Sequence, residues 1–319
     1  MKREIITKEI KETLKETYFT TFELFKIMIP ISIIVKILGE LGVIEIAGNF
    51  LAPIMRLVGL PGDFGLVWAT AMITNIYGGL VVFFSLSVKN SLTVAQVTVL
   101  GTMILVAHTL IIESRIAQKA GVQPWFILSL RIFGAFTLGW ILNIIFTSFN
   151  IYQNESMLLW KPTYENSSIF YWMIGEFKNY FMIFIIILSL LFLMKILKKT
   201  GTINRLNNLL EPILKSLGMS KDAASITIIG MTLGVVYGGG LIIKEIKSGF
   251  LGEKDAFLSL SLMGLSHSLI EDTLLMLAIG ASLFGILFAR LLFTIAVMII
   301  LIKCINHLSK RRFERYFVN

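Results

Sequence analysis

Apolar residues run through this chain in long blocks, separated by shorter segments where charge collects. Unbroken apolar stretches occupy residues 22–38, 94–112, 125–149, 181–197 and 281–302, and a sixth, 256–269, carries a polar extension. About 20 apolar residues cross a ~30 Å hydrocarbon core, so the pattern predicts membrane-spanning helices. Two other stretches, 62–87 and 221–247, are apolar but cut by glycines, too interrupted for one clean span. Ahead of each lies an amphipathic segment with a proline inside it, 44–60 and 203–219.

These elements occur in the same order twice. Sliding the chain against itself by 159 residues sets Gly42 on Gly201, Asn49 on Asn208, Pro53 on Pro212 and Gly59 on Gly218. Tyr77-Gly78-Gly79 meets Tyr237-Gly238-Gly239 after a one-residue insertion that is taken back further on. His108 then falls on His267, Glu113 on Asp272 and Arg131 on Arg290. Leucine matches are expected by chance in so apolar a chain, whereas Pro, Gly, His and Arg in one order are not. The repeat joins residues 8–147 to 167–306.

Each half is expected to hold a spanning helix, an interfacial amphipathic helix, a re-entrant helical hairpin in the glycine-broken stretch, and two more spanning helices. The fold class is therefore all-α and integral to the membrane. Three crossings per half turn the second repeat over and give inverted topology. The sequence divides into an N-terminal cytoplasmic amphipathic helix (1–19), a first repeat (20–150), an external linker (151–168), a second repeat (169–306) and a basic cytoplasmic tail (307–319).

Charge agrees with that topology. The segments assigned to the cytoplasm, 1–17, 114–124, 198–255 and the tail from His307, hold nineteen Lys or Arg; the external ones hold only Arg56, Lys89 and Lys161. Lys and Arg accumulate on the cytoplasmic side, which accounts for a net charge of +9 without a nucleic-acid partner. The expected location is the cell (inner) membrane, with both termini cytoplasmic. Composition points the same way, with 56% hydrophobic residues, 15% charged and a mean hydropathy of +0.81, where a soluble domain carries about 25% charge. With Cys304 as its single cysteine, the chain has no internal disulfide and no thiolate metal cluster.

The run Leu51-Ala52-Pro53-Ile54-Met55-Arg56-Leu57-Val58-Gly59-Leu60-Pro61-Gly62, continuing to Asn75-Ile76-Tyr77-Gly78-Gly79, resembles the Gate, or nucleoside recognition, domain, and 210–240 resembles a weaker second copy. The resemblance implies the architecture shared by concentrative nucleoside transporters, ferrous-iron permeases and certain sporulation membrane proteins, and it also brings homo-oligomerisation into view. It implies no substrate. The hairpins lack the Gln-Thr-Glu type of cluster expected for nucleosides, and 69–77 lacks the cysteine that features in the iron permeases.

Ionisable groups at membrane depth cost roughly 2.5–3.5 kcal/mol each on insertion scales and are functional candidates by default. Thr109 with Glu113, and Ser268 with Asp272, are four apart and would share a helix face, with His108 and His267 on an adjoining one. Hydroxyl, carboxylate and imidazole together suit cation coordination, hydrogen bonding to a solute, or proton transfer. Glu113 with Arg131 and Asp272 with Arg290 are both 18 apart, and two buried ion pairs fastening adjacent helices is the simpler account of them. Glu271 follows His267 by four, which marks that pair as the sharper coupling site. The hairpins add Thr74, Asn75, Tyr77, Gly78 and Gly79, then Thr232, Tyr237, Gly238 and Gly239, as substrate contacts. Their glycines serve backbone approach to a ligand or close helix packing.

No catalytic motif is present, and neither an enzymatic activity nor a cofactor is expected. The expected function is a secondary, alternating-access transporter. It binds a small polar solute or ion between the two hairpins at mid-membrane, where such folds place their sites, with a proton or sodium as the coupling ion. A non-transporting scaffold with a protein partner and a divalent metal permease are the alternatives.

Overall fold

The structure is a computed structural model and describes residues 2–87, 91–157 and 169–318. Among these residues the architecture is all-helical. The first half runs α1 (Lys2–Glu40), α2 (Val43–Leu57), α3 (Phe64–Ile73), α4 (Ile76–Ser87), α5 (Val94–Val106), α6 (Leu110–Lys119) and α7 (Pro124–Ser148). The second runs α8 (Ile169–Lys199), α9 (Thr202–Ser216), α10 (Lys221–Leu233), α11 (Val235–Lys247), α12 (Glu253–Leu265), α13 (Glu271–Ala278), a π-helical turn (Phe284–Ala289), α14 (Arg290–Asn306) and a terminal α15 (Lys310–Phe317).

The order of elements recurs between the halves, and so do the joints. Helix α1 turns into α2 through Gly42 at φ 70°, and α8 turns into α9 through Gly201 at the same φ. That left-handed conformation costs glycine nothing and other residues dearly. The α1–α2 joint bends by 92°, so the amphipathic α2 leaves the line of the spanning helix. The N-terminal segment 1–19 is not a separate helix. The helix that starts at Lys2 continues through the first apolar block to Glu40 and accommodates Pro30 in its interior.

The glycine-broken stretches are hairpins of two short helices. In the first, α3 packs on α4, with Gly79 so close to Ala71 that a Cβ there would lie 2.8 Å from the Ala71 methyl. In the second, Gly238 of α11 lies against Gly230 of α10. Helices of 10 to 13 residues span only about 15–20 Å at 1.5 Å per residue, about half the hydrocarbon thickness.

Four helical stretches are long and apolar enough to cross a membrane: Val94–Lys119, Pro124–Ser148, Ile169–Lys199 and Phe284–Asn306; the bent pair Lys11–Glu40 with Val43–Leu57 makes a fifth. The sixth expected span, from Ala256, is not one helix. It divides into α12 and α13 with residues 266–270 unwound between them. The first-half counterpart is also broken, at residues 107–109 between α5 and α6.

The beginning of the expected external linker pairs back onto the fold, since Val94 and Ala95 at the start of α5 donate their N–H groups to the carbonyls of Asn154 and Tyr152 at 2.9 Å. The rest of that linker, with Lys161, and also Lys89, lie outside the described residues. The basic tail folds as α15. Phe313 and Phe317 pack edge-to-face against Phe257, and the Gln123 N–H donates to the Phe317 carbonyl at 3.0 Å.

Helix α5 begins with a capping box, in which the Thr93 hydroxyl accepts from the Gln96 N–H at 3.2 Å and the Gln96 carboxamide accepts from the Thr93 N–H at 3.1 Å. The same carboxamide donates to the Gly59 carbonyl at 3.0 Å and ties α5 to the end of α2. Thr93→Ala is expected to cost about 1 kcal/mol, the usual worth of such a cap. A lower thermal unfolding midpoint of the purified protein in detergent checks this, and an unchanged midpoint contradicts it.

Candidate functional site

Both helix breaks occur at a histidine. Ala107 leaves the helical region (φ −135°, ψ 78°) and Thr109 sits in the left-handed region at φ 52°; Ser266 (φ −146°, ψ 86°) and Ser268 (φ 46°) repeat the excursion. Positive φ at a β-branched threonine is strained, and such strain persists only where the surroundings enforce it. Here the hairpins do so. The Thr109 N–H donates to the Ala71 carbonyl near the end of α3 at 2.9 Å, and the Leu269 N–H donates to the Met231 carbonyl near the end of α10 at 2.8 Å. Each break is thus held by the tip of the hairpin in its own half.

The two breaks bring the histidines together. His108 Nε2 and His267 Nε2 lie 3.2 Å apart, and both residues are almost fully buried. His108 Nδ1 is 2.9 Å from the Ile104 carbonyl and His267 Nδ1 is 2.8 Å from the Met263 carbonyl. A carbonyl only accepts, so each Nδ1 is the N–H donor and each Nε2 faces its counterpart. Glu113 enters from α6. One carboxylate oxygen is 3.7 Å from His267 Nε2, and the other is 2.5 Å from Arg131 Nη1. Arg131, fully buried on α7, also donates from Nε to the Val106 carbonyl at 2.8 Å, at the last turn of α5. Glu113 and Arg131 therefore form the expected buried pair, and that pair also reaches the histidines.

The second half departs from its expected pairing. Arg290 is fully buried, yet none of its three nitrogens has a hydrogen-bond partner, and one Asp272 carboxylate oxygen is likewise unpartnered. The π-helical turn that runs directly into Arg290 supplies a physical difference from α7, which is regular over the matching positions. π turns are rare and concentrate at functional positions. Glu271 does not pair with His267 either. An i, i+4 face exists only on a continuous helix, and the chain is unwound between the two residues. The carboxylate beside His267 is Glu113, from the opposite half.

The hairpin residues divide by role. Asn75 Oδ1 accepts from the Gly78 N–H at 2.9 Å and so starts α4. Thr74 bonds back to the Thr70 carbonyl at 2.7 Å, and Thr232 to the Ile228 carbonyl at 2.9 Å. Gly79 and Gly238 sit at close helix contacts within their hairpins, while Gly239 packs against Ile116 of α6; a Cβ on Gly78 would meet the Thr74 hydroxyl. Tyr77 lines a small apolar cavity with Phe84, Ile183 and Leu275, whereas its counterpart Tyr237 is 68% exposed. Of the expected contacts, then, the structure gathers His108, His267, Glu113 and Arg131 into one cluster, with Thr109 and Ser268 shaping the breaks that hold it.

Residues 21–123 match the Gate family, described as nucleoside recognition. Across nearly its whole length the chain is similar to YvoD of Bacillus subtilis (strain 168), which bears the name uncharacterized membrane protein, at 26% identity over 297 residues covering 92% of each chain. No solved structure matches. The match to the Gate family reaches from within α1 through both segments of the first broken helix, and so includes His108 and Glu113.

Proposed function

We propose that this membrane protein, whose first half carries the Gate domain, is an alternating-access transporter that binds a small polar solute or ion at the His108–His267 junction. One observation carries the reading: two broken helices, each clasped by its own hairpin, meet at a pair of equivalent histidines sealed inside the protein. Unwound backbone at membrane depth is tolerated only where protein buries it or a wet cavity is lined by it, and broken helices meeting at the midplane are how secondary transporters form their sites.

Contact between equivalent residues also supports a two-fold relation between the halves. Two copies related by a two-fold axis touch through the same residue only on that axis, and the histidines are separated by the repeat length of 159. Short hairpins of half-membrane length that return to their own side leave an odd number of crossings per half, which gives the second half inverted topology, and the charge bias supports cytoplasmic termini. The buried junction corresponds to a closed state. Access from either side requires one hairpin to move with its broken helix while the other stays, and a proton or sodium ion can bias that exchange.

Two measurements test this. Reconstituted in lipid vesicles, the protein should carry a solute from a panel of nucleosides, amino acids, organic anions and divalent cations, and His108→Phe and His267→Phe should each reduce uptake to the protein-free background. In detergent, the same solute at a hundredfold excess over its dissociation constant should stabilise the fold by about 2.7 kcal/mol. A folded protein that neither moves nor is stabilised by any member of the panel overturns the reading.

A further inference from the structure

The facing imidazoles pose a problem that the fold does not solve from its own atoms. Both Nδ1 positions are committed as donors to helix carbonyls. Both Nε2 positions of the neutral rings are then acceptors, 3.2 Å apart and buried. Two lone pairs at that distance repel, and burial removes the water that would screen them. A positive centre placed between them removes the conflict, and the Glu113 oxygen 3.7 Å from His267 Nε2 adds negative charge at the same point.

The distances suit a particular kind of centre. With metal–nitrogen bonds of 2.0–2.1 Å at tetrahedral angles, two imidazole nitrogens lie roughly 3.3 Å apart. The ligand atoms of His108, His267 and Glu113 all fall within 4.8 Å of one another, and a shift of the Glu113 carboxylate toward the imidazoles closes them into one coordination shell. The surroundings match as well. Ligating histidines donate their second ring N–H to a carbonyl or carboxylate, and ligating carboxylates are themselves held by a hydrogen bond or charge. Here the Ile104 and Met263 carbonyls fill the first role and Arg131 the second.

We propose that His108, His267 and Glu113 form a three-ligand site for a divalent transition-metal cation of the zinc, cobalt or iron(II) class, and that this cation is the cargo of the junction. Two imidazoles and one carboxylate select such metals over calcium and magnesium, which take oxygen ligands. Three protein ligands leave one position open. An open position suits a site that must fill and empty, because a closed four-ligand cage would hold the ion as a structural part. Each ligand comes from a break or the segment just beyond it: His108 occupies one break with Glu113 just beyond it, and His267 occupies the other. Separating the two breaks therefore takes His267 away from the other two ligands, and a single movement opens the site and releases the ion.

That the cation is cargo rests on the transport reading of the junction, whereas its binding rests on the ligand geometry alone, and the experiment separates the two. The full-length protein, with any affinity tag removed and stripped of metal by a chelator, is titrated in detergent with cobalt(II). The expected result is one equivalent bound, with the intense visible absorption of four-coordinate cobalt and displacement by zinc(II). His108→Ala and His267→Ala should each weaken binding by more than the roughly 10–100-fold that follows loss of an outer-shell partner. His307→Ala, at the exposed third histidine, should leave it unchanged. Unfolding midpoints in the absence of metal show that each variant is folded, and Glu113→Asp keeps a carboxylate if Glu113→Gln is not. Wild-type protein that is folded and binds no cobalt or zinc overturns the inference; if it still moves another solute in vesicles, the transport reading survives without the metal. Stoichiometric binding with no cobalt or zinc flux keeps the site and overturns the cargo role.

Discussion

Arg131→Met is expected to lower the stability of the folded protein by about 3–5 kcal/mol, the range for breaking one side of a buried ion pair. The substitution leaves the Glu113 carboxylate, which has almost no exposure, without its partner 2.5 Å away, and leaves the Val106 carbonyl at the break without the Nε donor. At the equivalent position the outcome should differ. Arg290 has no hydrogen-bond partner for any of its three nitrogens, so Arg290→Met removes a buried charge that no hydrogen bond compensates and replaces it with an apolar side chain of similar length. Its stability should equal or exceed that of the unaltered protein. Thermal or denaturant unfolding in detergent, read by a probe of helix content, compares the two. Equal destabilisation at both positions would show that Arg290 is engaged as firmly as Arg131. Retaining an arginine that adds nothing to stability at a fully buried position is what a functional charge requires, so Arg290→Met should impair transport while leaving the fold intact.

Gly238→Ala should destabilise by about 1–3 kcal/mol, as overpacking of a filled interior does. A methyl there would lie 2.5 Å from the Gly230 Cα, 3.0 Å from its nitrogen and 2.8 Å from the Met263 sulfur. Two of those neighbours are backbone, so the two helices of the hairpin must separate. The Met231 carbonyl that holds the second break is one residue from Gly230, so the site should be disturbed along with the hairpin. Gly240, two residues on in the same helix, has open space where its Cβ would go. Gly240→Ala should therefore stabilise by about 0.5–1 kcal/mol, the usual gain from relieving glycine of its helix cost. The pair of unfolding measurements separates packing from propensity, and two shifts of the same sign would contradict the assignment of Gly238 to a helix contact.

Much of the fold was legible in the chain because the membrane imposes a length on apolar helices and because the sequence repeats itself. The apolar blocks, the glycine joints at Gly42 and Gly201, the hairpins and the matched residues His108 and His267 all follow from local composition and a single 159-residue shift. The Glu113–Arg131 pair follows from spacing across one short turn, and it forms.

What the sequence could not decide concerns where helices stop and which side chains meet across the halves. Residues 256–269 have the composition of a continuous span, and periodicity places Glu271 on the face of His267. The chain instead unwinds at residues 266–270, because the Met231 carbonyl takes the Leu269 N–H across a contact that forms only when α10 packs there. That tertiary hydrogen bond overrides the local helical preference, removes the helical face that Glu271 would share with His267, and leaves His267 beside Glu113 of the other half. The same spacing of 18 joins Asp272 to Arg290, but a π-helical turn runs into Arg290 and none of its nitrogens makes a hydrogen bond. Local pattern determined the elements and their order. The meeting of two breaks, and with it the site, was decided by hydrogen bonds between segments far apart in sequence, whose energy exists only in the assembled fold.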